Sequence, residues 1–410
     1  MSIKIRALAL LLCLILMISA VASCNKDGTE EAVASDVTVT DTDTETETPE
    51  ENKTLSLKIG GVDISEYRIV YATSYTRIGC YEDYMTYAKF LSQRLEEMTG
   101  TKLSVVSDEQ AVTGREILLG ITKGRTEWGT YFVGKTPMAT DGYYSAYEGG
   151  KLLLGANCLA GSVDATEAFL EYVASEAENN GEVNVGKGYD KSGIRHVTRI
   201  ACVGDSITQG YRATDEAKNS YPTMLQRALG YEYDVVNYGC TSKTLCDSAL
   251  NEYKNRSYIS TSGHYDDLIA IAPVTDIVVI MLGTNDGEGS NAEINALLKN
   301  NLNAFKEDYK KNLTKMVTDL RAANKEIKII LLNTPISFRQ SSESNFNQYI
   351  RPYQAQVAEE LGIDFYDIYS WTNSNITRTD FIDELHPNDT GYGKLAQGIA
   401  AALKSVYGLN

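Results

Sequence analysis

The chain has 410 residues, of which 43% are hydrophobic, and carries 55 acidic against 38 basic side chains for a net charge of −17. At roughly 150 residues per domain that length suggests two domains, each long enough to bury a core. The acidic balance, with no cluster of Lys and Arg, argues against nucleic acid as a partner.

At the amino terminus, Lys4 and Arg6 precede an apolar run from Ala7 to Val21, and Val-Ala-Ser-Cys ends at Cys24. This is the pattern of a secretory signal peptide, residues 1–24. The run is short for a membrane span, which needs roughly 20 apolar residues. Its end resembles a bacterial lipobox, and the resemblance implies a lipid on Cys24 that anchors an extracytoplasmic protein to a bacterial membrane. Residues 25–54 hold ten acids against Lys26 and Lys53. They bury too little apolar surface to fold and read as an extended, self-repelling tether. Beyond Cys13 and Cys24 the cysteines are Cys80, Cys158, Cys202, Cys240 and Cys246. No spacing among them resembles a C-x-x-C metal or redox pair. Cys240 and Cys246 are candidates to pair in an oxidising compartment, with buried free thiols as the plainer alternative.

Residues 55–190 begin with strand-like LSLKI and YRIVYA. A helix follows in which Tyr84, Ala88, Leu91, Leu95 and Met98 recur every three or four positions until Gly100 stops it. Strands KLSVV and EILLG come next, then a hairpin turning at Gly149 and Gly150, then a helix from Val163 to about Ala177. These elements predict a small α+β domain. They include no histidine and no nucleophile in a recognisable setting, so the domain reads as an accessory module. The segment GKGYDKSGIRH, residues 186–196, is polar and marks a boundary.

From residue 195 to 410 the pattern becomes a strict alternation of strands and helices. Strands are expected at 197–203, 233–238, 276–282, 326–333 and 363–368, with helices between them, one of them running through 296–323. Near-continuous Val, Ile and Leu runs mean strands buried on both faces, hence a parallel sheet covered by helices on both sides. Five such strands fit a flavodoxin-like, doubly wound α/β fold.

Chemistry-bearing residues cluster where these strands end. GDSITQG, residues 204–210, puts Ser206 directly after the first strand, at the carboxyl edge where open α/β sheets place their ligands. A serine there needs a base. Only three histidines exist, His196, His264 and His386, and His386 alone has a carboxylate three positions upstream, Asp383 in DELHP. A turn at that spacing fixes one ring nitrogen and leaves the other free to deprotonate a serine. LGTND, residues 282–286, follows another strand and offers the Asn285 amide to a developing oxyanion. A further element, VVNYGCTSKT at residues 235–244, follows yet another strand, the one expected at 233–238, and offers a backbone N–H. Trp371, twelve residues before Asp383, is a candidate to line the site or to pack beneath it. Scattered histidines give no metal-ligand spacing, and the reading calls for no cofactor. The missing second glycine of G-x-S-x-G disfavours the α/β-hydrolase elbow.

These blocks, in this order, resemble the SGNH hydrolases, also called the GDSL esterase/lipase family, over residues 197–407. The resemblance implies Ser206 as nucleophile, His386 as general base and acid, and Asp383 as its orienting partner. It also implies an oxyanion hole made by the N–H of Ser206, a backbone N–H of the second block and the Asn285 side chain. In the second block the family pattern N-x-x-x-x-G, counted from Asn237, places Ser242 where glycine is usual. A negative φ would let serine donate without cost and a positive φ would strain it; Gly239 is the alternative donor. The amino-terminal domain resembles the small domain beside catalytic domains of glycoside hydrolases such as β-hexosaminidases and α-glucuronidases. Together these features imply an exported serine esterase that removes acetyl or other small acyl groups from a carbohydrate. The alternatives are a lysophospholipase or thioesterase acting on lipid, and an inactive glycan-binding lipoprotein.

Overall fold

The computed structural model describes residues 55–73, 84–133, 135, 142–194, 197–230 and 232–409. The signal segment, Cys24, the acidic tether, Cys80 and His196 lie outside them. Among the described residues no helix is long and apolar enough to cross a membrane.

Among its described residues the amino-terminal part has nine strands: β1 (Ser56–Ile59), β2 (Val62–Asp63), β3 (Arg68–Tyr71), β4 (Val105–Ser107), β5 (Glu116–Leu119), β6 (Gly142–Glu148), β7 (Lys151–Ala156), β8 (Glu182–Val185) and β9 (Asp190–Ile194). Six of them form a mixed sheet in the order β4-β3-β5-β7-β6-β9. Strands β4, β3, β5 and β7 run parallel, and the β6–β7 hairpin turns at Gly149 and Gly150, as the sequence leads one to expect. Helices α1 (Tyr84–Thr99) and α2 (Leu159–Asn180) cover one face, where Leu91, Leu95, Phe169 and Val173 meet Ile69, Ile117 and Leu154. The polar segment at 186–196 is not all connection: residues 190–194 pair antiparallel with β6 and extend this sheet by one edge strand.

The carboxyl-terminal sheet comprises β10 (Thr198–Gly204), β11 (Tyr233–Gly239), β12 (Ile277–Met281), β13 (Lys328–Leu332) and β14 (Asp364–Tyr366). Its order is β11-β10-β12-β13-β14 with every pair parallel. This is the doubly wound arrangement predicted from the hydrophobic runs. Alternate residues of each strand point to opposite faces. Ile200, Cys202, Val279 and Leu332 pack with α3 (Tyr221–Leu229) and α6 (Asp389–Tyr407). Ala201, Val203, Ile280 and Leu331 pack on the other side with α4 (Leu302–Ala323) and α5 (Arg351–Leu361). Each Val, Leu or Ile among them taken fully from water contributes roughly 1.5–3 kcal/mol, which is why the sheet needs helices on both faces.

One predicted helix is two. The run 296–323 breaks at Asn301, whose φ of −147° and ψ of 54° end the helix Ala292–Asn300 before α4 begins. Trp371 sits over Gly398 of α6, where a Cβ would come within 2.6 Å of its ring, and belongs to the packing on that face.

Candidate active site

Ser206 opens a single helical turn, Ser206–Gln209, at the end of β10. Asp205 caps that turn, its carboxylate accepting the Ile207 N–H at 3.0 Å. The turn lies so close to the ends of β10 and β11 that a Cβ on Gly204 would stand 1.9 Å from Thr208 Oγ1, and one on Gly239 would stand 2.1 Å from Gln209 N. Only glycine at these two positions lets the turn settle this deep. Ser206 is consequently 4% exposed, with its hydroxyl Oγ 3.0 Å from His386 Nε2.

DELHP forms a tight loop just before α6. Phe381 and Pro387 pair as an antiparallel bridge, and the Ile382 N–H donates to His386 O at 3.0 Å. Within the loop, Asp383 accepts from the His386 main chain at 2.8 Å and lies 2.9 Å from ring Nδ1. Burial pushes the Asp383 carboxyl up, but the hydrogen bonds and charge of His386 outweigh it and hold the group below its ordinary value. The Tyr211 ring stands edge-on to His386 at 4.9 Å. The structure thus brings Ser206, His386 and Asp383 into one chain of contacts. His264 instead begins a separate helix, edge-on to Tyr238.

The second block is laid over the loop that follows β12. Asn285 Nδ2 donates to Lys243 O at 2.9 Å, and Asp286 accepts the N–H groups of Leu245 and Cys246 at 3.1 and 2.8 Å. Asp205 and Asp286 are fully buried beneath the site. Burial pushes them up to about 7 and about 6, against the N–H groups that favour their charged forms.

The backbone donors of residues 239–243 can be accounted for one by one. Gly239 N–H goes to Asn237 Oδ1 at 2.9 Å, Cys240 N–H to Gly204 O, Thr241 N–H to Gln209 Oε1 and Lys243 N–H to Cys240 O. Ser242 N–H is the one left without an acceptor among the described residues. Gly239, the alternative donor, already has an acceptor. Ser242 adopts φ +63°, the left-handed conformation in which a serine is strained. The amide of Asn285 keeps one hydrogen beyond the bond to Lys243. Ser206 N–H, first in its turn, has no helical acceptor.

Cys240 and Cys246 are free thiols, the first half-buried and the second buried, so they form no disulfide. Among the described residues no group of three His, Cys, Asp or Glu side chains is arranged to hold a metal ion. Sequence reasoning missed Arg256, which donates through Nη2 to Asn285 Oδ1 at 2.9 Å and through Nε to Ser242 O at 2.8 Å. It lies on the crossover between β11 and β12, in no motif, and no signal in the sequence marks it.

Comparison with known proteins matches residues 202–394 to the GDSL-like lipase/acylhydrolase family. An acetylxylan esterase from Xylanibacter ruminicola is 34% identical over 216 residues, 50% of this chain and 43% of that protein, so the chain spans less than half of its length. The uncharacterized protein YpmR of Bacillus subtilis is 23% identical over 240 residues, 53% of this chain and 86% of that one. Among solved structures, a carbohydrate acetylesterase from Sinorhizobium meliloti aligns with a TM-score of 0.37 at 16% identity, covering 51% of this chain and 100% of that chain.

Proposed function

From a chain whose residues 202–394 belong to the GDSL-like lipase/acylhydrolase family, we infer a serine-dependent carboxylic ester hydrolase that removes acetyl groups from a carbohydrate. The observation that carries the chemistry is the 3.0 Å approach of Ser206 Oγ to His386 Nε2, with Asp383 on the other ring nitrogen. Ser206 Oγ attacks the ester carbonyl while its proton passes to His386 Nε2. Asp383 holds the tautomer that receives it and stabilises the imidazolium that results. The tetrahedral oxyanion is met by the N–H groups of Ser206 and Ser242 and by Asn285 Nδ2. Collapse breaks the bond to the sugar oxygen, which takes the proton held by His386 and leaves as a hydroxyl. Water then attacks the acyl-serine with His386 as base, releasing acetate and restoring Ser206.

The acetyl–carbohydrate part is supported by the 34% identity to a protein named acetylxylan esterase. Export by residues 1–24 and a lipid on Cys24 complete the reading and rest on the sequence alone.

The test compares the full chain with its Ser206→Ala variant on p-nitrophenyl acetate, longer-chain p-nitrophenyl esters and acetylated xylan. Loss of turnover in the variant and release of acetate from xylan by the wild type are expected. Equal rates for the two proteins would overturn the nucleophile, and a preference for long acyl chains would overturn the deacetylase.

A further inference from the structure

We propose that Arg256 is the positioning residue of the oxyanion hole, one guanidinium that sets both Asn285 and the loop carrying Ser242 in their donating geometry. This rests on the assignment of those two residues as oxyanion donors, and it adds a residue that touches neither substrate nor the reacting atoms.

The side chain of Arg256 is 18% exposed and four of its N–H directions are taken. Nε donates to Ser242 O at 2.8 Å and Nη2 to Asn285 Oδ1 at 2.9 Å. Nη1 is shared by Glu252 Oε1 at 2.8 Å and Glu288 Oε2 at 3.1 Å. These partners come from three segments: the second-block loop, the helix Asn251–Arg256 that carries Arg256, and the loop after β12.

For Asn285 the bond decides orientation. A carboxamide has an acceptor end and a donor end, and arginine offers donors only. With Oδ1 on the guanidinium, Nδ2 faces Lys243 O and keeps its second hydrogen free. A flipped amide would set donor against donor. For Ser242 the bond secures conformation. Thr241 N–H is held by Gln209 Oε1 at 2.8 Å, and Ser242 O by Arg256. The 241–242 peptide, whose N–H is the donor, is therefore bracketed by two anchors. A strained φ of +63° persists only where surrounding bonds enforce it, and these two enforce it.

The two glutamates answer the cation. Glu252 and Glu288 grip Nη1 and hold the guanidinium in place, so that Nε and Nη2 keep their aim at Ser242 and Asn285. Lysine cannot replace it, because one ammonium lacks the planar fork that reaches Ser242 O and Asn285 Oδ1 together.

The test measures kcat and KM of the full chain on p-nitrophenyl acetate. Arg256→Met keeps an apolar stem and removes every donor; kcat is expected to fall about 100-fold, the scale of one oxyanion donor, with KM changed by less than about threefold. Arg256→Lys is expected to lose nearly as much, and alone decides the matter if the Met variant does not fold. In an Asn285→Ala background the Arg256→Met step is expected to cost less than about 10-fold, because part of what Arg256 orients is already gone. Wild-type kcat in Arg256→Lys, a rise in KM with kcat intact, or an undiminished loss in the Asn285→Ala background overturns the proposal. Ser206→Ala is assayed alongside. Activity that survives it defeats the esterase reading itself, whereas activity that depends on Ser206 but is indifferent to Arg256 defeats only this inference.

Discussion

Asp383 holds His386 twice, taking the main-chain N–H of the histidine at 2.8 Å and its ring Nδ1 at 2.9 Å. The two bonds have separable consequences. Asparagine at 383 retains an acceptor for the main-chain N–H, so the loop persists. It offers no negative charge to an imidazolium and allows the wrong tautomer. Asp383→Asn is expected to lower kcat by on the order of 10⁴-fold, as the same change does in serine proteases. Steady-state kinetics and a thermal melt taken together check this, the melt being expected to move by only a few degrees.

Buried carboxyls beneath the serine make stability depend on pH. Asp205 is pushed up to about 7 in the folded protein by burial, whereas an unfolded chain titrates near 3.9. Between roughly pH 4 and 7 the folded state holds a proton that the unfolded state has lost. The contribution is therefore complete below about pH 4 and is lost as pH rises through 7, with a limiting slope of about 1.4 kcal/mol per pH unit. Asp205→Asn keeps an acceptor for the Ile207 N–H and cannot titrate. Urea unfolding at pH 4.5 and 7.5 is expected to show the wild type losing more stability across that interval than the variant; equal losses would mean that Asp205 does not carry the effect.

Glycine at 242 relieves strain. Moving a side chain out of the left-handed region recovers about 1–2 kcal/mol, less the roughly 0.5–1 kcal/mol that glycine costs in chain entropy. Ser242→Gly is expected to raise the unfolding free energy by about 0.5–1 kcal/mol, and Ser242→Ala to leave it unchanged. Chemical denaturation of the three proteins measures the difference.

Gly239→Ala is expected to do the opposite. Its φ is not left-handed, so the obstacle is space alone: the new methyl would stand 2.1 Å from Gln209 N and 2.5 Å from Thr208 C, backbone atoms that yield only if the serine turn moves. Overpacking of this kind costs about 1–3 kcal/mol. Displacing the nucleophile by even an ångström costs on the order of 100-fold in rate. Loss of both stability and kcat is the expected result, and a variant with wild-type kcat would show that the turn does not depend on this fit.

How much of this was legible follows from where the information sits in the chain. Ser206, Asn285 and Asp383 with His386 lie in short contiguous motifs next to strong hydrophobic strands or a long amphipathic helix. A parallel sheet brings such strand ends together without help from distant residues. Arg256 is defined by partners at 242, 252, 285 and 288, and nothing local marks it. Strand β9 reads as a linker because DKSGI is polar, and an edge strand open to water has no need of an apolar face. The break at Asn301 is faint for a different reason. Neither Pro nor Gly marks it, and its one local trace is the pair Asn300 and Asn301, whose short amides compete with the helix backbone and suit helix ends. The strain at Ser242 was foreseeable as a question but not as an answer, since the sequence shows the serine and only the backbone shows the sign of φ.

The squeeze between the serine turn and Gly239 also bears on protein design. The heptapeptide around Ser206 is not a self-sufficient module, because its aim is inherited from the neighbouring strand that makes room for it. Grafting GDSITQG onto another parallel sheet would transfer the nucleophile but leave it perched above the crevice, unless the acceptor strand ended in glycine at the matching register, Gly204 beside Gly239. The smallest transplantable unit is two adjacent strand ends, 35 residues apart in this chain, and a library that varied only one of them would sample mostly misdirected serines.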